Sequence, residues 1–173
     1  MNDSLEALRQ KASDLSKPLN RPEQFPEKPV PNQPKMGQKC LFCEIVAGTM
    51  PTYQITANDD YIAFLDIQPK AIGHTVVIPK HHAKGLEEMA STEAATYIDF
   101  VGMISELLKQ RLGATGFTLM SPNGVSSGQF VEHFATHIIP TYAKEGIELA
   151  TLSALQTQRI PDSIMKDVQA KLK

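Results

Sequence analysis

The stretch "GQFVEHFATHIIP", residues 128–140, decides how this chain is read. It sets His133, Ala135 and His137 at alternate positions in a run with the character of a β-strand. Side chains alternate across a strand, so Val131, His133, Ala135, His137 and Ile139 share one face. Phe130, Phe134 and Ile138 share the other, which has the composition of a core-packing surface. Two histidines on the first face make it the candidate working face. The loop before it, "SPNGVSSGQ", offers Asn123, Ser126, Ser127 and Gln129 as donors, while Gly124 and Gly128 allow backbone amides to approach a ligand closely. A phosphate group suits such a neutral set of donors, although the same residues are also ordinary turn material.

Outward from this stretch, the pattern is strand, strand, strand, helix, strand, strand. "YQITA" (53–57) and "YIAFLDI" (61–67) flank the turn-forming "NDD", which is a hairpin signal. "HTVVIPK" (74–80) is rich in β-branched residues. Ser91 can cap a helix running to about Leu112, with Tyr97, Val101, Ile104 and Leu108 on its apolar stripe and Gly113 ending it. "GFTLMSP" (116–122) precedes the glycine-rich loop. A last helix is predicted after Pro161, carrying Ile164, Val168 and Leu172.

At the other end, residues 4–15 fit a short amphipathic helix with Leu5, Leu8, Ala12 and Leu15 on one stripe. Six of the twelve prolines then fall between Pro18 and Pro34, a segment that can keep no helix and reads as an extended linker or strap. The expected organisation is a helix and proline-rich arm over 1–37, a compact domain over 38–143, and a C-terminal extension over 144–173. The fold class expected is α+β, an antiparallel sheet of about five strands with one long helix and shorter flanking helices.

Seventeen basic against nineteen acidic residues give a net charge of −2, which argues against a surface for a nucleic-acid polymer. A small pocket for one phosphate is compatible with that balance. No apolar run reaches the ~18 residues of a membrane span. "MNDSLEALRQ" also lacks the basic and apolar regions of a secretory signal, so a cytoplasmic location is expected. The two cysteines, Cys40 and Cys43 in "CLFC", form a C-x-x-C pair, a redox motif or half of a zinc site. The other half of such a site must be histidine or carboxylate, and "IPKHH" offers His81 and His82.

With these residues assembled, the chain resembles the histidine triad (HIT) family of nucleotide hydrolases and transferases. Its signature alternates three histidines with hydrophobic residues, commonly after Gly-Gln. "GQFVEHFATHIIP" matches the Gly-Gln, the first histidine at His133, the third at His137 and the trailing Ile-Ile-Pro. "FLDI" and "GHTVVIPKHH" also match earlier family blocks in order, so the resemblance covers roughly Cys40 to Tyr142.

The resemblance implies that Ala135 stands where the family carries its middle histidine, the nucleophile. That imidazole attacks the α-phosphorus of a nucleotide and forms a covalent nucleotidyl-histidine, which water or another acceptor resolves. A methyl group cannot attack phosphorus, so the chain as written is expected not to turn over. Natural loss of the nucleophile and deliberate replacement are both open origins for Ala135, and a natural nucleotide sensor or adaptor is the alternative function.

The same resemblance implies Asp66 on the ribose hydroxyls and Asn123, Gln129 and His137 at the α-phosphate, with His74 an orienting group; Phe64 and Ile67 lie nearby and can sandwich a base, although core packing is equally natural for either. Phe130 departs from the pattern, because many relatives carry Ser or Thr there, and this weakens a phosphoramidate-hydrolase version of the function. His137 favours the hydrolase-like branch over uridylyltransferases, which have glutamine at that position. Zinc-bearing relatives imply a structural Zn2+ on Cys40, Cys43, His82 and His133. The partners implied are a nucleotide or nucleotide conjugate and a second copy of the chain, with no membrane.

Overall fold

Turn chemistry and alternation build the first hairpin as the sequence predicts. Residues 40–142 and 160–173 are described in the computed structural model of the chain. The helix expected over 4–15, the proline-rich segment and most of the stretch between the last strand and Pro161 lie outside the described residues. Strand β1 (Tyr53–Ala57) pairs antiparallel with β2 (Tyr61–Leu65). Between them Asn58 Oδ1 accepts the amide hydrogens of Asp60 at 3.0 Å and Tyr61 at 2.7 Å, the local bond that makes "NDD" a turn.

Strand β3 (Thr75–Pro79) lies against β2, and both are buried at every residue. A central strand covered on both faces loses the polar half of its alternation, which is why "YIAFL" and "TVVIP" read as continuous apolar runs. The chain then crosses through helix α2 (Ser91–Leu112) to strand β4 (Gly116–Met120), which lies at the edge, and strand β5 (Thr136–Thr141) inserts between β3 and β4. The sheet order is β1-β2-β3-β5-β4, antiparallel throughout. A six-residue helix α1 (Leu41–Val46) precedes the sheet and helix α3 (Asp162–Leu172) ends the chain. Among the described residues no helix is long and apolar enough to cross a membrane.

Each face of the sheet has its own apolar cluster. On one face Leu65, Val77, Phe134 and Ile138 pack against Tyr97, Val101, Ile104 and Leu108 of α2 and Met165, Val168 and Leu172 of α3. On the other, Ile62, Phe64, Val76, Ile78 and Ala135 pack with Ile45, with Phe42, Val46 and Met50 at the margin. Helix α2 stops at Gly113, whose φ of 71° is the left-handed conformation glycine adopts without penalty.

Three local expectations are corrected and one element is new. Strand β5 begins at Thr136, not at Gln129. His133 N–H turns back to Val131 O at 2.7 Å and Phe134 N–H bonds Ala83 O at 2.6 Å, so the chain enters the sheet only after these bonds are made. Ser91 is the first helical residue rather than the cap, since Ala94 N–H already reaches Ala90 O at 2.8 Å. The buried stripe of α3 uses Met165 where Ile164 was expected, and Ile164 is exposed. Helix α1 was not anticipated, because six residues are too few for a helical period to register.

Candidate functional site

Two clusters of side chains flank the start of β5. The first joins Cys40, Cys43, His82 and His133, whose ligand atoms all lie within 4.8 Å of one another. Cys40 Sγ is 3.4 Å and Cys43 Sγ 3.6 Å from His133 Nδ1, and Cys43 Sγ is 3.3 Å from His82 Nδ1. A tetrahedral ion with ordinary zinc–sulfur and zinc–nitrogen bonds has S···N edges of about 3.6 Å, so these separations fit such an ion. The outer contacts agree: His133 Nε2–H donates to Pro79 O at 2.9 Å, which leaves Nδ1 with its lone pair facing the cysteines. Burial and the neighbouring Cys40 thiol push the Cys43 thiol up to about 11. A bound cation would reverse that preference by favouring the thiolate. His81, the weaker sequence candidate, turns away to Glu93 Oε1 at 2.8 Å.

The second cluster is Asp66, His74 and His137. His74 is 2% exposed, and Lys70 N–H donates to its Nδ1 at 3.1 Å. Its proton must therefore sit on Nε2, 3.1 Å from His137 Nδ1. Accepting that hydrogen bond leaves His137 with its own proton on Nε2. Burial holds His74 down to about 4, outweighing the Asp66 carboxylate that favours its charged form. It is a neutral relay, not a cation. Asp66 Oδ2 lies 3.4 Å from His137 Nδ1, and Asp66 Oδ1 accepts from Gln68 N–H at 2.8 Å. This cluster does not suit a metal, because the His74 nitrogen that would ligate carries the proton. What it supplies is an imidazole N–H on His137 with a carboxylate beside the same ring.

Ala135 sits between the clusters on the face of Val76, the register partner of His137. It is 6% exposed and packed among Ile45, Ile62, Phe64, Val76 and Ile78. Its methyl thus belongs to an apolar floor beside His137. Phe64 is part of that floor, whereas Ile67 is 72% exposed and Phe130 is 65% exposed. Asn123 and Gln129 spend their amides on the chain itself. Asn123 Oδ1 accepts from Leu86 N–H and its Nδ2 donates to Ser121 O. Gln129 Oε1 accepts from Gly124 N–H, and its Nε2 donates to Lys84 O and His133 O.

One positioning residue escaped the sequence reading. Ser121 Oγ donates to Ala135 O at 2.6 Å and lies 2.8 Å from Thr136 Oγ1, fixing the backbone just ahead of His137. Ser-Pro reads only as a turn, so no sequence signal pointed to it.

Comparison with known proteins agrees with this geometry. The HIT domain model matches residues 47–144. An uncharacterized HIT-like protein of Methanocaldococcus jannaschii is 35% identical over 130 residues, covering 75% of this chain and 98% of its own length. An adenosine 5'-monophosphoramidase of Schizosaccharomyces pombe is 35% identical over 101 residues, 58% of this chain and 73% of that protein. A HIT-like protein from Bartonella henselae superposes with a TM-score of 0.66 at 33% identity, over 77% of this chain and 93% of that one. A Zn-bound histidine triad family protein from Mycobacterium smegmatis superposes with a TM-score of 0.65 at 25% identity, over 77% and 92%. From its sequence match and its α+β architecture alike, this chain belongs to the HIT domain family.

Proposed function

We propose that this chain binds a nucleoside phosphate at the face bearing Ala135 and His137, on a scaffold whose parent transfers or hydrolyses the nucleotidyl group. The observation that carries the reading is the ordered relay from Lys70 N–H through His74 to His137, which aims one imidazole N–H beside the residue-135 position. In the parent, histidine at 135 attacks the α-phosphorus, the bond to the leaving group breaks, and that group leaves with the electron pair and takes a proton. Water then displaces phosphorus from the imidazole. His137 donates to a phosphate oxygen, Asp66 steadies any charge gained by that ring, and Ile67 offers apolar surface to a base. With alanine at 135 the first bond cannot form, and binding is what remains.

Cys40, Cys43, His82 and His133 would hold zinc in this reading, the ion supplying a rigid four-ligand cross-link with no open position for chemistry. The donor set, the S···N separations and the Zn-bound relative support it. Self-association is part of the same proposal, supported by the edge position of β4 among the described strands and by Ile98 and Met103 exposed on α2.

A second reading, a nucleotide sensor without chemistry, draws on one observation: Ala135 is already packed in apolar surroundings with no histidine present. Calorimetry with AMP on this protein tests the pocket, and hydrolysis of a dinucleoside polyphosphate and of an adenosine phosphoramidate by Ala135→His tests the catalytic scaffold. AMP binding with turnover restored supports the first reading. Binding with no turnover in a folded Ala135→His protein selects the sensor, and no binding removes both.

A further inference from the structure

Asn123 and Gln129 have their side-chain amides engaged with the chain itself, and what they hold is informative. Gln129 Nε2 donates to Lys84 O at 2.7 Å and to His133 O at 3.3 Å, while its Oε1 takes the Gly124 amide at 2.6 Å. Asn123 Oδ1 takes the Leu86 amide at 2.8 Å. Phe134 N–H adds a backbone bond to Ala83 O at 2.6 Å. The segment 83–86 is thereby stitched to the segment 123–134 at three levels.

One segment begins just after a residue of the Cys/His cluster, and the other ends just after one. His82 immediately precedes Ala83, and His133 immediately precedes Phe134. An ion drawing His82 and His133 together would fix the Ala83–Phe134 backbone pair. That pair is the base on which the Gln129 and Asn123 contacts stand. Above it, the loop turns on Gly124 and Gly128, with φ of 82° and 88°, and closes through Ser127 N–H to Gly124 O and Gly128 N–H to Val125 O. Val125–Ser127 is a single exposed 3-10 turn with no buried residue of its own. A loop with so little apolar anchorage takes its shape from its hydrogen bonds, and Gln129 joins its two ends.

We propose that Gln129 and Asn123 are positioning residues, a latch through which a cation at Cys40, Cys43, His82 and His133 sets the shape of the Gly124–Gly128 loop. Through that loop the cation sets the affinity for a nucleoside phosphate. The latch rests on the zinc reading of those four residues, and this last step alone rests on the nucleotide-binding reading. Metal and ligand sites then influence one another reciprocally, because each favours the same latched loop.

The test compares the full chain loaded with zinc and stripped by chelator, with loading verified by metal analysis. Amide hydrogen exchange is read by NMR and AMP affinity by calorimetry. Stripping is expected to speed exchange at Gly124 and Leu86 by about tenfold, the loss of one hydrogen bond of ordinary net strength. Amides of Ile62 and Ile78 in the central ladder should change less than about twofold, and AMP affinity should fall by about the same tenfold. Gln129→Met, still zinc-loaded, should free the Leu86 amide although its own acceptor is Asn123, and should bind AMP equally with and without zinc. Unchanged Gly124 and Leu86 exchange on verified zinc removal overturns the latch, as does Gln129→Met that keeps a zinc-dependent AMP affinity. If stripping also exposes Ile62 and Ile78, the zinc-loaded Gln129→Met comparison decides: a Leu86 amide as protected as before overturns the proposal. AMP binding to neither form removes the nucleotide reading, and the amides still judge the latch.

Discussion

His74 makes the stability of this fold depend on pH in a way that one substitution isolates. The ring is almost fully buried, with Nδ1 accepting from Lys70 N–H and Nε2 donating to His137, so folding fixes it as neutral. Its value falls from an ordinary 6.5 to about 4. A histidine depressed in the folded state binds protons more readily when unfolded. Its stabilising contribution is therefore full above 6.5 and is lost as pH falls toward 4. Between about pH 8 and about pH 5 the expected loss from this group is about 2 kcal/mol. His74→Gln removes the titration while keeping an acceptor for Lys70 N–H and a donor for His137. Urea unfolding of both proteins at the two pH values gives the comparison. His133 is also held below its ordinary value, first by burial, and is present in both proteins, so its contribution cancels in the difference. The gap between the proteins should shift by about 2 kcal/mol in favour of His74→Gln at the lower pH. A shift below about 0.5 kcal/mol would mean that His74 is charged or exposed in the fold, and the relay would have to be abandoned.

Three further outcomes are expected. Protein purified without added zinc should carry about one equivalent, and Cys43→Ser should lower it below about half, read by metal analysis with thiol alkylation as a cross-check. Gly73→Ala should cost about 2 kcal/mol or more in urea unfolding, because φ is +83° and the new Cβ would stand 2.6 Å from Leu112 Cδ1. Tyr97→Phe should cost about 1–2 kcal/mol, since Tyr97 O–H donates to Val77 O at 2.8 Å inside the main core and the carbonyl would be left without that donor. A loss below about 0.5 kcal/mol for either would contradict the packing described.

Much of the site was legible before any coordinates because its residue types are chemically unusual where they stand. Two cysteines three apart and the histidines of Ile-Pro-Lys-His-His stood out as uncommon groups, the resemblance to zinc-bearing relatives singled out His82 and His133, and the four residues do converge. Asp66 was harder to read. Its carboxylate serves both the strand-end turn, through Gln68 N–H, and the His137 ring, and a sequence cannot weigh two partners for one group. Asn123 and Gln129 were legible as donors, but what receives their hydrogen bonds was not. The acceptor Lys84 O lies 45 positions from Gln129 along the chain.

Local chemistry was enough to determine the five strands, the long helix with its glycine stop and the Asn58 turn, because periodicity and turn propensity act over a few residues. Tertiary structure alone decided where β5 starts, which group meets the His74 Nε2 proton and that Ala135 packs into an apolar floor. Each of those depends on a distant partner: Ala83 O for the strand start, the His137 ring for the His74 Nε2 proton, and α1 with β2 and β3 for the floor. Such partners meet only once the chain has folded, so the periodicity of a single segment carries no record of them.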